Sequence, residues 1–365
     1  MKQDCSLENY FSPLDIEYIK LRAWAAEHRS PVSMTIELTP YCNFNCPMCY
    51  VHLTPEQAKS KGKLLSAAQW LDIMSQFAEL GVFTVSISGG EALLRPDFWE
   101  IYEGICRLGI FPNVFTNGYL IDEKVIEHFK EYPPRMVKIS LYGGCDETYE
   151  KMCGVKKGFT RVSHAVDLLK EAGIQLMTTV VLVKQNVDDI PLMEQFAQEK
   201  NIHLQVSSEV VSTPRGADTD PDGSRIDFSA ADMPLEQIKK KKHKPYTSLF
   251  QRCGSYNRNA VITWNGHLQT CNFIEHEYLQ LEEPYDIAAS WKQLWEMADA
   301  IKLPPECAGC PDAEFCDACP GSMAGGSGYI DRLNPIECIK AKALHQRYDE
   351  LTAAAGSDTL SDKEG

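Results

Sequence analysis

Three cysteines stand close together in the first part of the chain, in a C-x3-C-x2-C run formed by Cys42, Cys46 and Cys49. Thiolates are soft ligands that select iron–sulfur clusters, zinc or Cu(I). A structural zinc ion usually takes four protein ligands, and this run supplies three. A [4Fe–4S] cluster also normally takes four cysteines, so three would leave one iron open. The spacing favours such a cluster, with unrelated thiols or part of a zinc site as the alternatives.

A second cysteine block begins at residue 253. Its spacing is C-x17-C, then C-x2-C-x5-C-x2-C and a final cysteine, with Gly266 inside the first interval. The cysteines of this block are Cys253, Cys271, Cys307, Cys310, Cys316, Cys319 and Cys338. Further iron–sulfur ligands are one interpretation. Two C-x2-C pairs also suit a zinc ribbon, so structural zinc sites are the alternative.

Together these motifs resemble the radical SAM superfamily and, in the second block, its SPASM extension. The apolar Met48 just before the third cysteine also fits that superfamily. The resemblance implies a [4Fe–4S] cluster on Cys42, Cys46 and Cys49, whose open iron chelates the amino and carboxylate groups of S-adenosylmethionine (SAM). It also implies two auxiliary [4Fe–4S] clusters in the second block.

By position, the resemblance assigns one complete auxiliary set of ligands: Cys307, Cys310, Cys316 and Cys338. It leaves three ligands for the other set: Cys253, Cys271 and Cys319. Two residues separate Cys316 from Cys319, where the family pattern has three. We expect the fourth position of the three-cysteine set to be open and to take a substrate thiolate, because soft iron prefers that donor.

The same resemblance assigns contacts with SAM to residues in several loops: Tyr50, Gly89, Gly90, Glu91, Asn117, Ser140, Arg161, Val183 and, beside it, Asn186. Without Cβ atoms, Gly89 and Gly90 would let backbone carbonyls approach the SAM ammonium, with Glu91 beside it. The alternatives are a strand-end turn residue for Ser140 and a solvated helix-start residue for Arg161.

Hydrophobic periodicity predicts the elements that position these residues. Between residues 32 and 207, short strands alternate with amphipathic helices, in six β-then-α units. Such units predict a parallel sheet with right-handed crossovers. Ligand loops of such barrels lie at the carboxyl ends of the strands, and the candidate loops 42–49, 89–91, 116–118 and 140–144 all follow strands. We predict an α/β fold, a partial (β/α)6 TIM-type barrel with a small, cysteine-rich C-terminal α+β cluster-binding domain.

Local patterns predict further features. A polar linker is expected over 54–63, and Ser66 with Gln69 predicts a capping box. The dipeptide Asn265-Gly266 predicts a hairpin turn between strands 261–264 and 268–271. A helix is expected over residues 13–28, with one apolar face formed by Ile16, Ile19, Ala23 and Trp24.

Changes in composition divide the chain into five predicted parts: an N-terminal helical segment (1–31), the radical SAM partial barrel (32–210), a connector (211–250), the SPASM domain (251–345) and a helix end with a disordered acidic tail (346–365). The connector contains the basic run Lys239–Lys244, which we interpret as a solvated face or linker. A docking patch for an acidic peptide is the alternative. We expect the first cluster to survive loss of the second block, because their ligands fall in separate domains.

Composition limits the partners. The formal charge of -15 argues against nucleic acid as a partner. Fourteen cysteines with no secretory signal pattern favour metal or redox ligands in a cytoplasmic protein. No apolar run reaches the length of a membrane helix, so we expect no membrane partner.

The resemblance implies reductive cleavage of SAM to a 5′-deoxyadenosyl radical, with electrons from a flavodoxin- or ferredoxin-type reductant. Our first hypothesis is a maturase of ribosomally synthesised peptides that forms a thioether or other crosslink. The second is a radical dehydrogenase, sulfatase-maturase-like or acting on a small alcohol. It is disfavoured by Asn272, which stands where those maturases have an aspartate base. The third is a non-catalytic iron–sulfur or zinc protein.

Overall fold

A computed structural model describes residues 13–211, 215–231, 233, 235, 238, 240, 248–253, 255–274 and 276–361. Its strands are β1 Ser33–Glu37, β2 Thr84–Ser88, β3 Phe111–Thr116, β4 Met136–Ser140, β5 Leu176–Val181, β6 Leu204–Ser207, β7 Asn259–Ile262, β8 His267–Gln269 and β9 Tyr278–Gln280. Its helices are α1 Pro13–His28, α2 Pro55–Ser60, α3 Ala67–Glu79, α4 Phe98–Arg107, α5 Glu123–Glu131, α6 Asp146–Cys153, α7 Gly158–Glu171, α8 Ile190–Lys200, α9 Pro221–Ser224, α10 Ile287–Ala300, α11 Pro320–Ser327 and α12 Pro335–Ser361.

These strands form one sheet, in the order β6-β5-β4-β3-β2-β1-β7-β8-β9. The first six strands are mutually parallel, and helices connect them along the chain. In the described residues β6 and β9 are the two edges, so the sheet is not closed. The prediction of a partial α/β barrel is confirmed. The carboxyl ends of β1 to β5 lie at one edge of the barrel, where the candidate loops begin.

The sheet continues across the predicted domain boundary at residue 251. β7 pairs in parallel with β1, with Ser33 opposite Asn259, and β8 and β9 follow as antiparallel hairpins. The predicted hairpin at Asn265-Gly266 is thus confirmed. Residues of β7, β8 and α10 also belong to the main hydrophobic core.

A second, smaller core lies under the rest of the cysteine-rich region. It includes Leu249, Phe250, Tyr256, Ile274, Met323 and Ile330. Because β7 covers the edge of β1, deleting the whole second block would expose an unpaired strand beside the first cysteine loop. Our expectation that the first site survives such a deletion does not follow from this topology. The boundary at residue 251 itself stays a prediction.

Three local predictions differ from the structure. Three of the four residues predicted for the apolar face of α1 are exposed: Ile19 at 55%, Trp24 at 50%, and Ala23. Ala25 is buried, and the side chain of Ile16 lies outside the described part of the chain. Trp24 instead stacks on His28 at 4.3 Å between ring centroids.

Two short helices were not predicted from the sequence. The expected polar linker contains α2, and α6 was also missed. Both omissions concern short helices, which carry too few residues for a periodic signal.

Helix α12 extends to Ser361, into the predicted disordered tail, and 362–365 lie outside the described residues. Ser66 and Gln69 form the predicted capping box at the start of α3.

Of the basic run Lys239–Lys244, only Lys240 is described, and its Nζ lies 2.8 Å from Glu314 Oε2. The docking interpretation of this run therefore falls largely outside the described residues. No helix in the described part of the chain is long and apolar enough to cross a bilayer.

Candidate functional site

A cavity of about 270 Å³ opens at the carboxyl edge of the sheet. The loops after β1, β2, β3 and β4 all contribute to its lining, as the sequence predicted. The predicted site residues that line it are Cys42, Cys46, Cys49, Tyr50, Gly89, Gly90, Asn117 and Ser140. The structure therefore brings the three-cysteine loop together with most of the residues that we assigned to SAM.

Backbone and side-chain donors surround the three thiols. The N–H of Phe44 donates to Cys42 Sγ at 3.4 Å, and that of His52 donates to Cys49 Sγ at 3.3 Å. Burial raises the pKa of the Cys49 thiol to about 11 and that of Cys42 still further. Without a metal these thiols would stay protonated. A bound metal would remove that preference, because the cation stabilises the thiolate.

The thiols fit a cluster better than they fit one ion. Among the described residues, no three His, Cys, Asp or Glu side chains lie close enough together to hold a single metal ion. The three sulfurs instead line a cavity shared with the loops after β2 and β3. Asn117 closes one side, because its Nδ2 donates to Asn43 Oδ1 at 2.8 Å and approaches Cys42 Sγ at 3.8 Å. This donor set is suitable for a [4Fe–4S] cluster.

The two glycines after β2 are required by the cysteine loop itself. A Cβ on Gly89, whose φ is +136°, would lie 2.5 Å from the carbonyl oxygen of Thr39. A Cβ on Gly90 would collide with the carbonyl of Tyr41, and the Gly90 N–H donates to Thr39 O at 2.7 Å. The glycines therefore let two backbone segments pack together, which is a different reason from the ligand approach that we expected.

Glu91 lies behind the cavity and is not among its lining residues, and its assignment beside the ligand stays a prediction. Its carboxylate is fully buried and accepts three neighbouring donors: the Thr116 hydroxyl at 2.9 Å, the Asn117 N–H at 2.8 Å and the Leu93 N–H at 3.1 Å. Burial raises the pKa of this carboxyl group. Glu91 thus holds the loop that carries Asn117 against the cysteine loop.

Replacing Glu91 with alanine should destabilise the protein by about 2 kcal/mol, because it leaves two buried donors, Thr116 and the Asn117 N–H, without their acceptor. Urea unfolding of the anaerobically purified protein measures this change. Glu91→Gln is the control, since its amide oxygen can still accept. Unchanged stability in both variants would show that Glu91 does not hold the loop.

The same carboxyl group predicts a pH effect. Because its pKa is raised above the ordinary value of 4.5, the native state binds more protons than the unfolded state between those two values. The wild type should therefore lose stability relative to Glu91→Gln as the pH rises through this window.

Three other predicted contacts lie away from the cavity. Arg161 is exposed and lies over the ring of Tyr119, with 4.9 Å from its Cζ to the ring centroid. Val183 is buried, and its N–H donates to Asn186 Oδ1 at 2.9 Å. Asn186 also donates to Val181 O at 3.1 Å, so it shapes the end of β5. The structure does not bring these residues to the cavity lining.

The sequence analysis missed several aromatic residues around the thiols. Phe44 and Tyr142 line the cavity and meet edge-on, with 5.7 Å between their ring centroids. Phe273, which follows the auxiliary cysteine loop, also lines it and meets Tyr50 edge-on at 5.4 Å between ring centroids. The cavity is therefore bounded by both halves of the chain.

Cys153, which belongs to neither cysteine motif, lies beside the loop of Cys42, Cys46 and Cys49. Its sulfur is 3.7 Å from Cys46 Sγ, and its carbonyl accepts the Asn45 N–H at 3.0 Å. Cys145 instead approaches Asp189 and Thr148. Cys106 is half-buried against the main core, and Cys5 lies outside the described residues.

The four-cysteine auxiliary set surrounds a separate cavity of about 600 Å³, which is lined by Cys307, Cys310, Cys316 and Cys338. Arg252 also lines this cavity, and its guanidinium donates to Cys316 Sγ at 3.7 Å. The structure thus brings together the four residues that the resemblance assigned to one cluster.

The three-cysteine auxiliary set also converges. Cys253 and Cys271 pack against the same small core, and a Cβ on Gly321, two residues after Cys319, would lie 3.2 Å from Cys271 Sγ. Burial raises the pKa of Cys271 to about 12. Cys319 precedes α11, and the N–H of Ser322 in the first turn of that helix donates to its sulfur at 3.4 Å.

A buried ion pair between the two halves was also missed. Arg215 donates from Nε to Glu37 Oε2 at 2.9 Å and from its terminal nitrogen to Oε1 at 3.0 Å. Asn272 Nδ2 donates to the same Oε1 at 3.0 Å. The available signal was a glutamate at the end of the predicted strand β1, because a buried carboxylate requires a partner.

The open parallel sheet, with a three-thiol cavity at its carboxyl edge, defines an α/β protein with a candidate cofactor site at its strand ends. Residues 36–197 match the family model described as the radical SAM superfamily. The chain therefore carries a radical SAM domain over these residues.

Curated relatives match about half of this chain. The PqqA peptide cyclase of Gluconobacter oxydans (strain 621H) is 32% identical over 169 residues, which are 46% of this chain and 46% of that protein. The sporulation killing factor maturation protein SkfB of Bacillus subtilis (strain 168) is 26% identical over 214 residues, 59% of this chain and 50% of that protein. The chain spans about half the length of the curated relatives it matches.

Solved structures share the fold over most of the chain. SuiB of Streptococcus suis bound to its precursor peptide SuiA has a TM-score of 0.63 at 17% identity, covering 89% of this chain and 80% of that one. Native anSMEcpe with bound AdoMet and the Kp18Cys peptide has a TM-score of 0.60 at 18% identity, covering 90% and 99%. At these identities the likeness shows the fold alone.

Proposed function

We propose that this chain is a radical SAM enzyme that cleaves SAM reductively and removes hydrogen from a peptide, as a maturase of ribosomally synthesised peptides. The observation that carries the proposal is the single cavity where the loop of Cys42, Cys46 and Cys49 meets the loops after β2, β3 and β4. The names of the relatives, a peptide cyclase and a maturation protein, support the peptide substrate.

The residues of the cavity have separate roles in this proposal. The three thiolates hold a [4Fe–4S] cluster, which supplies an open iron for SAM and the electron that breaks its C5′–S bond. Asn117 and Ser140 provide polar contacts at the carboxyl edge. Tyr50 and Phe273 bound the cavity on the side of the auxiliary region. A peptide bound there would contact both halves of the chain.

The reconstituted protein should hold about twelve irons, since each of three ligand sets accepts a four-iron cluster. Incubated anaerobically with SAM and dithionite, it should form 5′-deoxyadenosine, which chromatography detects. Dithionite takes the place of the flavodoxin- or ferredoxin-type reductant that we propose. Saturation at about four irons with stoichiometric zinc would contradict the auxiliary clusters, and absence of 5′-deoxyadenosine would contradict the enzyme.

We further propose that the crosslink is a thioether. Cys253, Cys271 and Cys319 provide three of the four thiolates that a cluster needs, so a substrate thiolate can complete the set. Coordination would deprotonate that thiol and place its sulfur for bond formation. The alternative is a dehydrogenase, for which Asn272 offers no base, because its amide cannot take a proton and donates to Glu37.

A short synthetic Cys-containing peptide should therefore change the paramagnetic spectrum of the reduced auxiliary clusters, and its Ser analogue should not. The comparison isolates the sulfur, since the peptides differ in one atom. Equal spectra with both peptides would contradict coordination of a substrate thiolate by this cluster. Accepting an electron would then be the role proposed for the auxiliary cluster.

A further inference from the structure

We propose that the buried pair Glu37–Arg215 sets the reduction potential of the cluster held by Cys253, Cys271 and Cys319, and thereby the ease with which that cluster accepts an electron. The inference rests on the proposed function for the presence of this cluster. It adds a role for two residues that belong to none of the three ligand sets.

The pair is built from segments that are distant in sequence. Glu37 ends β1 and is fully buried, and Arg215, which follows β6, is 5% exposed. Two hydrogen bonds of 2.9 and 3.0 Å make the contact bidentate. The third partner, Asn272, directly follows the ligand Cys271 and donates to Glu37 at 3.0 Å. The network therefore joins the radical SAM sheet to the auxiliary ligand loop.

The positive end of the pair lies beside the cluster ligands. Asn272, the residue that follows the ligand Cys271, donates to the same Glu37 oxygen that accepts from Arg215. Arg215 is thus a buried cation at the junction of the two cluster regions, and Glu37 partly offsets its charge.

Such a charge acts strongly on a cluster. The potential of an iron–sulfur cluster depends on its net charge and its surroundings, and buried charges interact through a low effective dielectric constant. A cation stabilises the more negative, reduced form. Stability alone is a weak reason to bury an ion pair, because desolvation offsets the attraction. A tuning role accounts for its position next to Cys271.

Substitution of Glu37 and substitution of Arg215 should therefore shift the midpoint potential of this cluster in opposite directions. Arg215→Gln removes the cation and should shift the midpoint potential of this cluster downward. Glu37→Gln frees the cation and should shift it upward. The double variant Glu37→Gln/Arg215→Gln should return it close to the wild-type value. A purely structural role would shift both single variants in the same direction or in neither.

The test is an anaerobic redox titration of the reconstituted holoenzyme, followed by electron paramagnetic resonance. Lys200→Gln is the control, because Lys200 forms an ion pair with Asp167 at 2.6 Å and lines neither cysteine cavity. It should leave all cluster potentials unchanged. The potential of the cluster on Cys307, Cys310, Cys316 and Cys338 serves as the internal reference in every variant.

Removing one partner of a buried ion pair can prevent folding, so a further variant keeps the pair intact. Asn272→Lys can still donate to Glu37 and adds a positive charge beside Cys271, so it should raise the potential, whereas Asn272→Leu should not. Unmoved potentials with the cluster present, or shifts of equal sign, would overturn this inference alone. A wild type that lacks this cluster on reconstitution would overturn the inference together with the auxiliary part of the proposed function.

Discussion

Replacing Cys46 with alanine should reduce 5′-deoxyadenosine formation to the level of a reaction without enzyme. Cys46 is the most buried of the three thiols in the main cavity, at 6% exposure. Two remaining thiolates do not hold a cubane that normally takes four ligands, so the electron source for SAM cleavage is lost. Chromatography after incubation with SAM and dithionite measures the loss, and the iron content should fall by about four per chain.

Cys106→Ala is the control for this substitution. Cys106 lies in α4, half-buried, and lines neither of the cysteine cavities described above. It should retain iron and activity, which separates loss of a ligand from a general effect of removing a thiol. A Cys46→Ala protein that still forms 5′-deoxyadenosine would contradict the assignment of this loop as the site of SAM cleavage.

Cys316→Ala should have a different effect, with loss of the modified peptide but continued cleavage of SAM. Cys316 lines the separate cavity of about 600 Å³ with the other three thiols of its set. A single substitution there leaves β7 paired with β1, so the main cavity keeps its support. Mass spectrometry of the peptide and chromatography of 5′-deoxyadenosine measure the two activities in one reaction.

The comparison between these variants decides the division of roles. The iron content of Cys316→Ala should also fall by about four, while the signal of the cluster on Cys42, Cys46 and Cys49 stays. If both variants lose SAM cleavage to the same degree, the auxiliary set is required for the first cluster. The proposed separation of radical generation from product formation would then be wrong.

Local patterns in the sequence determined the sites and the type of fold. The three thiols of the first loop were grouped by their spacing and the four of the second cavity by the family resemblance, and the structure places each group around one cavity. The parallel sheet followed from alternating strands and helices, which are periodic along the chain. Ligand spacing and hydrophobic period are both local properties, so a single sequence contains them.

The tertiary structure decided the contacts between residues that are distant in the chain. Glu37 and Arg215 are separated by 178 residues, and no local pattern pairs them. The fold also gave the buried Glu91 a role that no local pattern showed, because its carboxylate accepts the Asn117 N–H. The pairing of β7 with β1 joined two regions that composition had separated. Contacts between residues that are distant in the chain depend on the order of the strands in the sheet. Only that order brings their side chains within hydrogen-bonding distance.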